Sequence, residues 1–181
     1  MDASPPPDTQ SNYDRYKGMQ AGKTVSAMPL EKDTLRRFVQ AIMDADPLYF
    51  DEAEATISRY GGLVAPPLYP VHAFRRPPGT PDPLDAMAGK HDADGTQGSM
   101  GVGFGLPDIE MPYRRLLNGG NEIEFLRNLR VGERVMAEPR YAEVVLKQGK
   151  SGNLLLVVVE TRFSTEAGEL LLINKQTLIW R

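Results

Sequence analysis

Along the first third of the chain, apolar positions recur with helical spacing. From Glu31 onward, Leu35, Phe38, Val39 and Ile42 fall at the i, i+3, i+4, i+7 positions of one helix face. Pro47 restricts Asp46 and interrupts the hydrogen-bond ladder, so this helix is expected to end near Asp44. A second, shorter helix is predicted from Asp51 to about Arg59, stopped by Gly61 and Gly62. A short strand is expected before both, at residues 23–27. "GGLVAPPLYPVHAFRR" carries an extended piece into Pro66-Pro67 and then a helix through Leu68, Val71, His72 and Arg75, where early prolines are tolerated because the first amides lack an intrahelical acceptor.

The C-terminal third changes period. "NEIEFLRN", "RVMAEPRYAEVVLKQ", "NLLLVVVETRFS" and "ELLLINKQTLIWR" are rich in branched and aromatic residues and read as strands. Turn residues at 130–133, 148–152 and 166–169 separate them, so the pairing should be antiparallel. Residues 154–159 and 170–173 are apolar on both alternating faces; a helix covers one, and the other needs a second sheet or subunit. Pro139 predicts a bulge or an edge in its strand. The fold class is therefore α+β.

Two segments fit neither pattern. Residues 1–17 are rich in Pro, Asp, Ser and Asn, the composition of a disordered tail unless it docks on something. Residues 76–118 hold six prolines, at 77, 78, 81, 83, 107 and 112, with many glycines, and read as a long insertion, a cover over a groove, in a single domain spanning 18–181. "GVGFG" at 101–105 lacks the G-x-G-x-x-G spacing and flanking elements of a phosphate loop and fits that cover better.

Composition narrows the function classes. A net charge of -3 offers no basic footprint for nucleic acid. The absence of cysteine removes thiolate nucleophiles, disulfides and Cys-ligated zinc. No signal-peptide pattern opens the sequence, and the longest apolar run is far short of the roughly 20 residues a membrane span needs, so a cytoplasmic protein with no membrane contact is expected.

"MDADPLYFDEAEA" places five carboxylates around Pro-Leu-Tyr. A calcium loop fails: counted from Asp44, Tyr49 stands where the turn glycine belongs and Ala55 where the bidentate acid belongs. Asp51 with Glu54 has capping-box spacing, so these acids read as helix punctuation. Asp44 differs, because a carboxylate at a helix C-terminus opposes the dipole.

"MDADPLYFDE" resembles the signature G-D-x-N-P-L-H-x-D of the MaoC-like, R-specific enoyl-CoA hydratases of the hot-dog superfamily, and "YGGLVAPPLYP" and "GGNEIEFLRNLRVGERV" resemble the segments that follow in its N-terminal dehydratase-like subgroup. The likeness spans residues 20–181 apart from the insertion. It implies a long antiparallel sheet around a central helix with a helical overhang. It also implies a catalytic Asp and His holding a water that adds to a trans-2-enoyl thioester, and an amide at the central helix start that stabilises the enolate oxygen. Asp44 stands at the Asp position and Tyr49 at the His position. A phenol with a reference pKa of about 10 is no general base near neutral pH. Pro66-Pro67 replaces His-Gly, which removes the amide donor.

By that resemblance the chain is a non-catalytic half of an enoyl-CoA hydratase or 3-hydroxyacyl dehydratase. Tyr49, Val64, Ala65, Pro66 and Pro67 would line the acyl tunnel, and a hot-dog partner subunit, or a second copy, would supply the Asp-His pair. The substrate would be a coenzyme A thioester, with no cofactor or metal. Arg75, Arg76, Arg114 and Arg115 are candidate partners for its phosphates, and His72 is a candidate replacement base. His91 sits among turn residues and is expected in solvent, Ser151 and Ser164 lack a nucleophile-elbow context, and Trp180 is expected to pack in a core or interface. Two alternatives remain: a hot-dog thioesterase using Asp44, told apart by thiol release, and an acyl-thioester-binding module without turnover, told apart by ligand stabilisation alone.

Overall fold

The computed structural model of the chain describes residues 8–77, 79–82, 85, 88–91, 104–150 and 152–181. The elements, in chain order, are β1 (Thr24–Val25), α1 (Lys32–Ile42), α2 (Glu52–Ile57), α3 (Tyr69–His72), β2 (Leu116–Phe125), β3 (Val135–Gly149), β4 (Gly152–Thr165) and β5 (Leu170–Trp180), with single 3-10 turns at Gln10–Asn12, Asp14–Tyr16 and Pro47–Tyr49. The strands form one antiparallel five-stranded sheet in the order β1-β3-β4-β5-β2. This is the α+β arrangement expected of a hot dog, with the central helix shortened to the single turn of α3. The helix predicted through Arg75 stops at His72, and Pro77 follows soon after.

The long strands follow from their composition. Branched and aromatic side chains alternate between two faces, and on β4 Leu155, Val157, Val159, Phe163 and their register partners pack inward. Two apolar clusters share that inner face. At one end Phe163, Leu172, Val135 and Ala137 meet Leu35 and Val39 of α1 together with Tyr49, Val64, Ala65 and Tyr69. At the other end Leu155, Val157, Val159, Tyr141 and Leu178 are covered by Tyr13, Tyr16 and Leu106. Burying each large side chain contributes about 1.5–3 kcal/mol. Trp180 packs against the second cluster, as expected. Ile42, placed on the buried face by its spacing, is 45% exposed.

The second cluster corrects two expectations. Within the tail expected to be disordered, residues 8–17 are docked: Tyr13 and Tyr16 are 1% and 5% exposed, the Tyr13 hydroxyl donates to Asp8 at 2.6 Å, and Tyr113 donates to the same carboxylate. Gln10 doubles as a strand mimic, donating to the Val144 carbonyl at 2.9 Å and accepting from the Leu146 amide at 2.7 Å. Composition hid this because two tyrosines and one glutamine carry the docking. The insertion also ends early. Leu106 is buried, the Tyr141 hydroxyl donates to the Pro107 carbonyl at 2.7 Å, and β2 begins at Leu116. The strand runs through Gly119-Gly120 as a bulge, with Gly120 at φ 109° and its amide bonded to Asn118 Oδ1 at 3.0 Å, so two glycines that read as a boundary lie inside the element.

The predicted turns hold. Glu133 N–H bonds the Arg130 carbonyl at 3.1 Å, and β4 returns through residues 166–169 with the Thr165 amide on Glu169 O at 2.8 Å. The β3 bulge falls between Tyr141 and Glu143, just beyond Pro139, whose carbonyl accepts from Ala21 N at 3.2 Å.

Candidate functional site

Three of the five acids of residues 43–55, Asp44, Asp46 and Asp51, prove to be local caps, while Glu52 pairs with Lys32 at 2.7 Å. Helix α1 closes in a Schellman motif: Met43 takes the left-handed conformation (φ 56°), its amide bonds Gln40 O at 3.3 Å, and the Asp44 amide reaches Val39 O at 3.2 Å. Asp44 Oδ1 then accepts from the Asp46 amide at 3.1 Å, and Asp46 Oδ1 from the Leu48 amide at 3.0 Å. Asp51 Oδ1 accepts from Ala53 and Glu54 at 2.9 and 3.2 Å. Asp44, whose place against the helix dipole called for another reason, has one in this turn. Its carboxylate is exposed.

Tyr49, closing the 3-10 turn at Pro47–Tyr49, is 9% exposed within the first cluster. Burial first, then the negative charges of Asp44 and Asp46, push its phenol above the ordinary value of 10. A hydroxyl in that setting keeps its proton through neutral pH. Val64 and Ala65 are fully buried beside it: the Val64 amide bonds Leu48 O at 3.3 Å and the Ala65 amide bonds Leu129 O at 2.8 Å. Pro66 is buried and Pro67 exposed at the entry to α3, where Pro66 O accepts the Tyr69 amide at 2.9 Å. Tyr49, Val64, Ala65 and Pro66 thus share one side of the first cluster. A cleft of about 270 Å³ adjoins it, lined by Lys32, Glu52, Tyr60, Leu63, Arg130 and Val131.

The other nominated residues do not gather there. His72 is exposed, with its ring 5.4 Å from that of Phe38, and among the described residues no hydrogen bond or ion pair joins it to Asp44. Arg75 is exposed near Tyr69, and Arg76 pairs with Asp82 at 3.0 Å. Arg114 and Arg115 lie at the opposite end of the sheet, where the Arg115 amide bonds Arg181 O at 3.0 Å and both line an open depression of about 680 Å³ with Arg181. From Leu155 to Phe163 the sheet runs roughly 26 Å at ~3.3 Å per residue, so the two arginine pairs serve no common phosphate. His91 is exposed. Ser164 is 4% exposed, with its hydroxyl buried and without a partner in the described structure. Ser151 and residues 101–103 of the glycine run lie outside the described residues. Phe104, at φ 42°, packs against Phe74 and Phe163 with centroids 4.8 and 5.9 Å apart.

Sequence reasoning missed the clamp that holds this region. Asn128 Nδ2 donates to the Ala65 carbonyl at 2.9 Å, and Arg127 pairs with Glu133 and, at 2.8 Å, with Glu169. Arg127, Asn128 and Glu133 lie within "GGNEIEFLRNLRVGERV", so the charges at 127 and 133 were the available signal. Burial works against the Glu133 charge, but the hydrogen bonds from Arg127 and the Arg130 amide outweigh it and hold the carboxyl below its usual range. Among the described residues there is no group of three metal-ligating side chains, and no helix is long and apolar enough to cross a membrane.

The fold recurs in known proteins. The chain is similar to a UPF0336 protein of Thermobifida fusca, 24% identical over 81% of this chain and 80% of that one, and to a UPF0336 protein of Saccharopolyspora erythraea, 25% identical over 86% and 83%. Among solved structures it superposes on the ChsH1-ChsH2 complex of Mycobacterium tuberculosis with a TM-score of 0.66 at 19% identity, covering 94% of this chain and 89% of that one. It also matches the HadBC 3R-hydroxyacyl-ACP dehydratase complex of the same organism with a TM-score of 0.56 at 17% identity, covering 91% and 96%. The R-hydratase PhaJ1 of Pseudomonas aeruginosa gives 0.57 at 14%, covering 92% and 83%. The model of the FAS1-like, dehydratase domain region matches residues 15–173, and the chain belongs to that family, built on the MaoC-like hot-dog fold.

Proposed function

We propose that the chain is the non-catalytic half of an acyl-thioester hydratase or dehydratase, forming part of the acyl tunnel while a hot-dog partner subunit supplies the Asp-His pair. The observation that carries the reading is Tyr49: the residue at the histidine position is a buried phenol pushed above pKa 10 beside two carboxylates. Such a group neither takes a proton from water nor forms the cation that would return one. Pro66 and Pro67 leave the entry to α3 without an amide hydrogen at the matching positions. The fold-level neighbours ChsH1-ChsH2 and HadBC are themselves complexes. Support for a partner also comes from β2, which ends the sheet with no strand on its outer side among the described residues and carries Leu117 and Phe125 at 43 and 52% exposure, with Leu126 at 50% just beyond it. An unpaired edge of that length suits strand addition by another subunit.

The test is reconstitution. The purified chain should leave crotonyl-CoA unhydrated, and a hot-dog subunit with an intact Asp-His motif should restore turnover when the two are combined. Hydration by the chain alone would overturn the reading, and release of free thiol would point to the thioesterase instead.

A further inference from the structure

The inner face of β5 carries a polar interruption that neither the fold nor the proposed tunnel explains. Leu172, Asn174, Gln176 and Leu178 alternate onto that face, with Leu172 in the first apolar cluster and Leu178 in the second. Asn174 pairs in register with Thr161 on one side and Ile123 on the other, and Gln176 pairs with Val159 and Asn121. Asn174 and Thr161 are 8% and 4% exposed, while Gln176 is half-buried and Asn121 exposed, so a polar strip leads from the interior to the β2 edge. Among the described residues, the Oδ1 atom of Asn174 is buried with no hydrogen-bond partner. Leaving such a group unpaired costs about 1–3 kcal/mol, and native proteins keep few of them without a reason.

We infer that Asn174, with Thr161, is a binding site for a neutral oxygen, a hydroxyl or carbonyl, carried on the acyl group of the substrate. The inference rests on the acyl-thioester reading above and adds a substrate class to it. An amide and a hydroxyl offer both donor and acceptor but no charge, so they fit a neutral oxygen and disfavour a carboxylate or an amine. The rest of the ligand is apolar: Phe163 and Leu172 stand one register row away, Ile123 alongside, and Phe74 and Phe104 pack onto Phe163 with centroids 6.0 and 5.9 Å away. An unsubstituted acyl chain lying over this strip would leave the amide unpaired, whereas an oxygenated one satisfies it. Discrimination therefore comes from a buried polar group that only one class of substrate can pair.

The experiment uses the full chain, with any co-purifying hot-dog subunit retained. It measures binding of dodecanoyl-CoA and of hydroxydodecanoyl-CoAs that carry the hydroxyl at successive carbons from C5 outward, so that the 3-hydroxyacyl thioester of the proposed reaction is not among them. At least one hydroxylated thioester should bind about 5–10-fold tighter than the plain one. Asn174→Leu should erase that preference, keep the affinity for dodecanoyl-CoA and raise Tm; Thr161→Val should weaken the preference without a loss of Tm. Equal affinities across the series in the unaltered protein would overturn the site. So would an Asn174→Leu variant that melts lower while the preference persists, because the amide would then be bonded structurally. Failure of every thioester to bind, dodecanoyl-CoA included, would instead remove the thioester reading itself, and this inference with it.

Discussion

Arg127 and Glu133 face each other across the turn that follows β2, and the pair ties the segment beneath Ala65 to the start of β3. Both side chains are about three-quarters buried, at 24% and 25% exposure, and Glu133 also accepts the Arg130 amide at 2.7 Å. Glu133→Gln should destabilise the protein by about 1–2 kcal/mol at neutral pH, the range for a charge-assisted hydrogen bond that is partly screened. Because the folded-state pKa of Glu133 lies below its reference value of 4.5, its contribution is present above that value and disappears as pH falls through the folded pKa. Denaturant melts of the two proteins should therefore differ near pH 7 and converge under acid. A constant difference at every pH would show that the pair does not act through charge.

Met43 offers a gain in stability. It holds φ 56° at the position after α1 where helices prefer glycine, and its side chain is 88% exposed, so little packing is lost with it. Met43→Gly should raise stability by roughly 0.5–1 kcal/mol, read from the denaturation midpoint at unchanged slope. A decrease would mean that Met43 is covered in the native assembly.

The legible parts of the sequence were those with a strong period. α1 followed from Leu35 and Val39, and β3 to β5 followed from alternating branched residues and turn signals, because burial imposes 3.6 and 2 on any element that covers a core. The capping role of Asp51 was legible because its chemistry is local. Illegible were contacts made across the chain: Tyr13 and Tyr16 against Tyr141 and Val144, and Asn128 on Ala65. The separation of the four arginines into two pairs at opposite ends of the sheet was hidden for the same reason, since sequence proximity to the insertion does not reveal it.

The docked arm gives a third prediction. Tyr13 is 1% exposed and its hydroxyl donates to Asp8 at 2.6 Å, so Tyr13→Phe should cost about 1 kcal/mol and Tyr13→Ala about 3–4 kcal/mol. Removing residues 1–17 should expose the second cluster, lower Tm and increase binding of a hydrophobic dye. A truncated protein with unchanged Tm and no dye binding would mean that the arm is dispensable for the distal half of the sheet.

The last prediction concerns the residues at the family's catalytic positions. Asp44 holds a turn through a single bond to the Asp46 amide, and among the described residues the Tyr49 hydroxyl has no hydrogen-bond partner. If the partner subunit supplies the acid-base pair, Tyr49→Phe and Asp44→Asn should each leave kcat of the reconstituted hydratase within about threefold. Removal of a true general acid or base costs about 100-fold or more. Tyr49→Phe should also leave stability nearly unchanged, since the ring stays and no bond is lost, whereas Tyr49→Ala should cost about 3 kcal/mol through the cavity it opens beside Val64 and Leu35. The pH profile separates the readings further. A phenol raised above 10 acting as the base would give a rate that climbs into the alkaline range and flattens in Tyr49→Phe. With the base on the partner, the two profiles should superimpose.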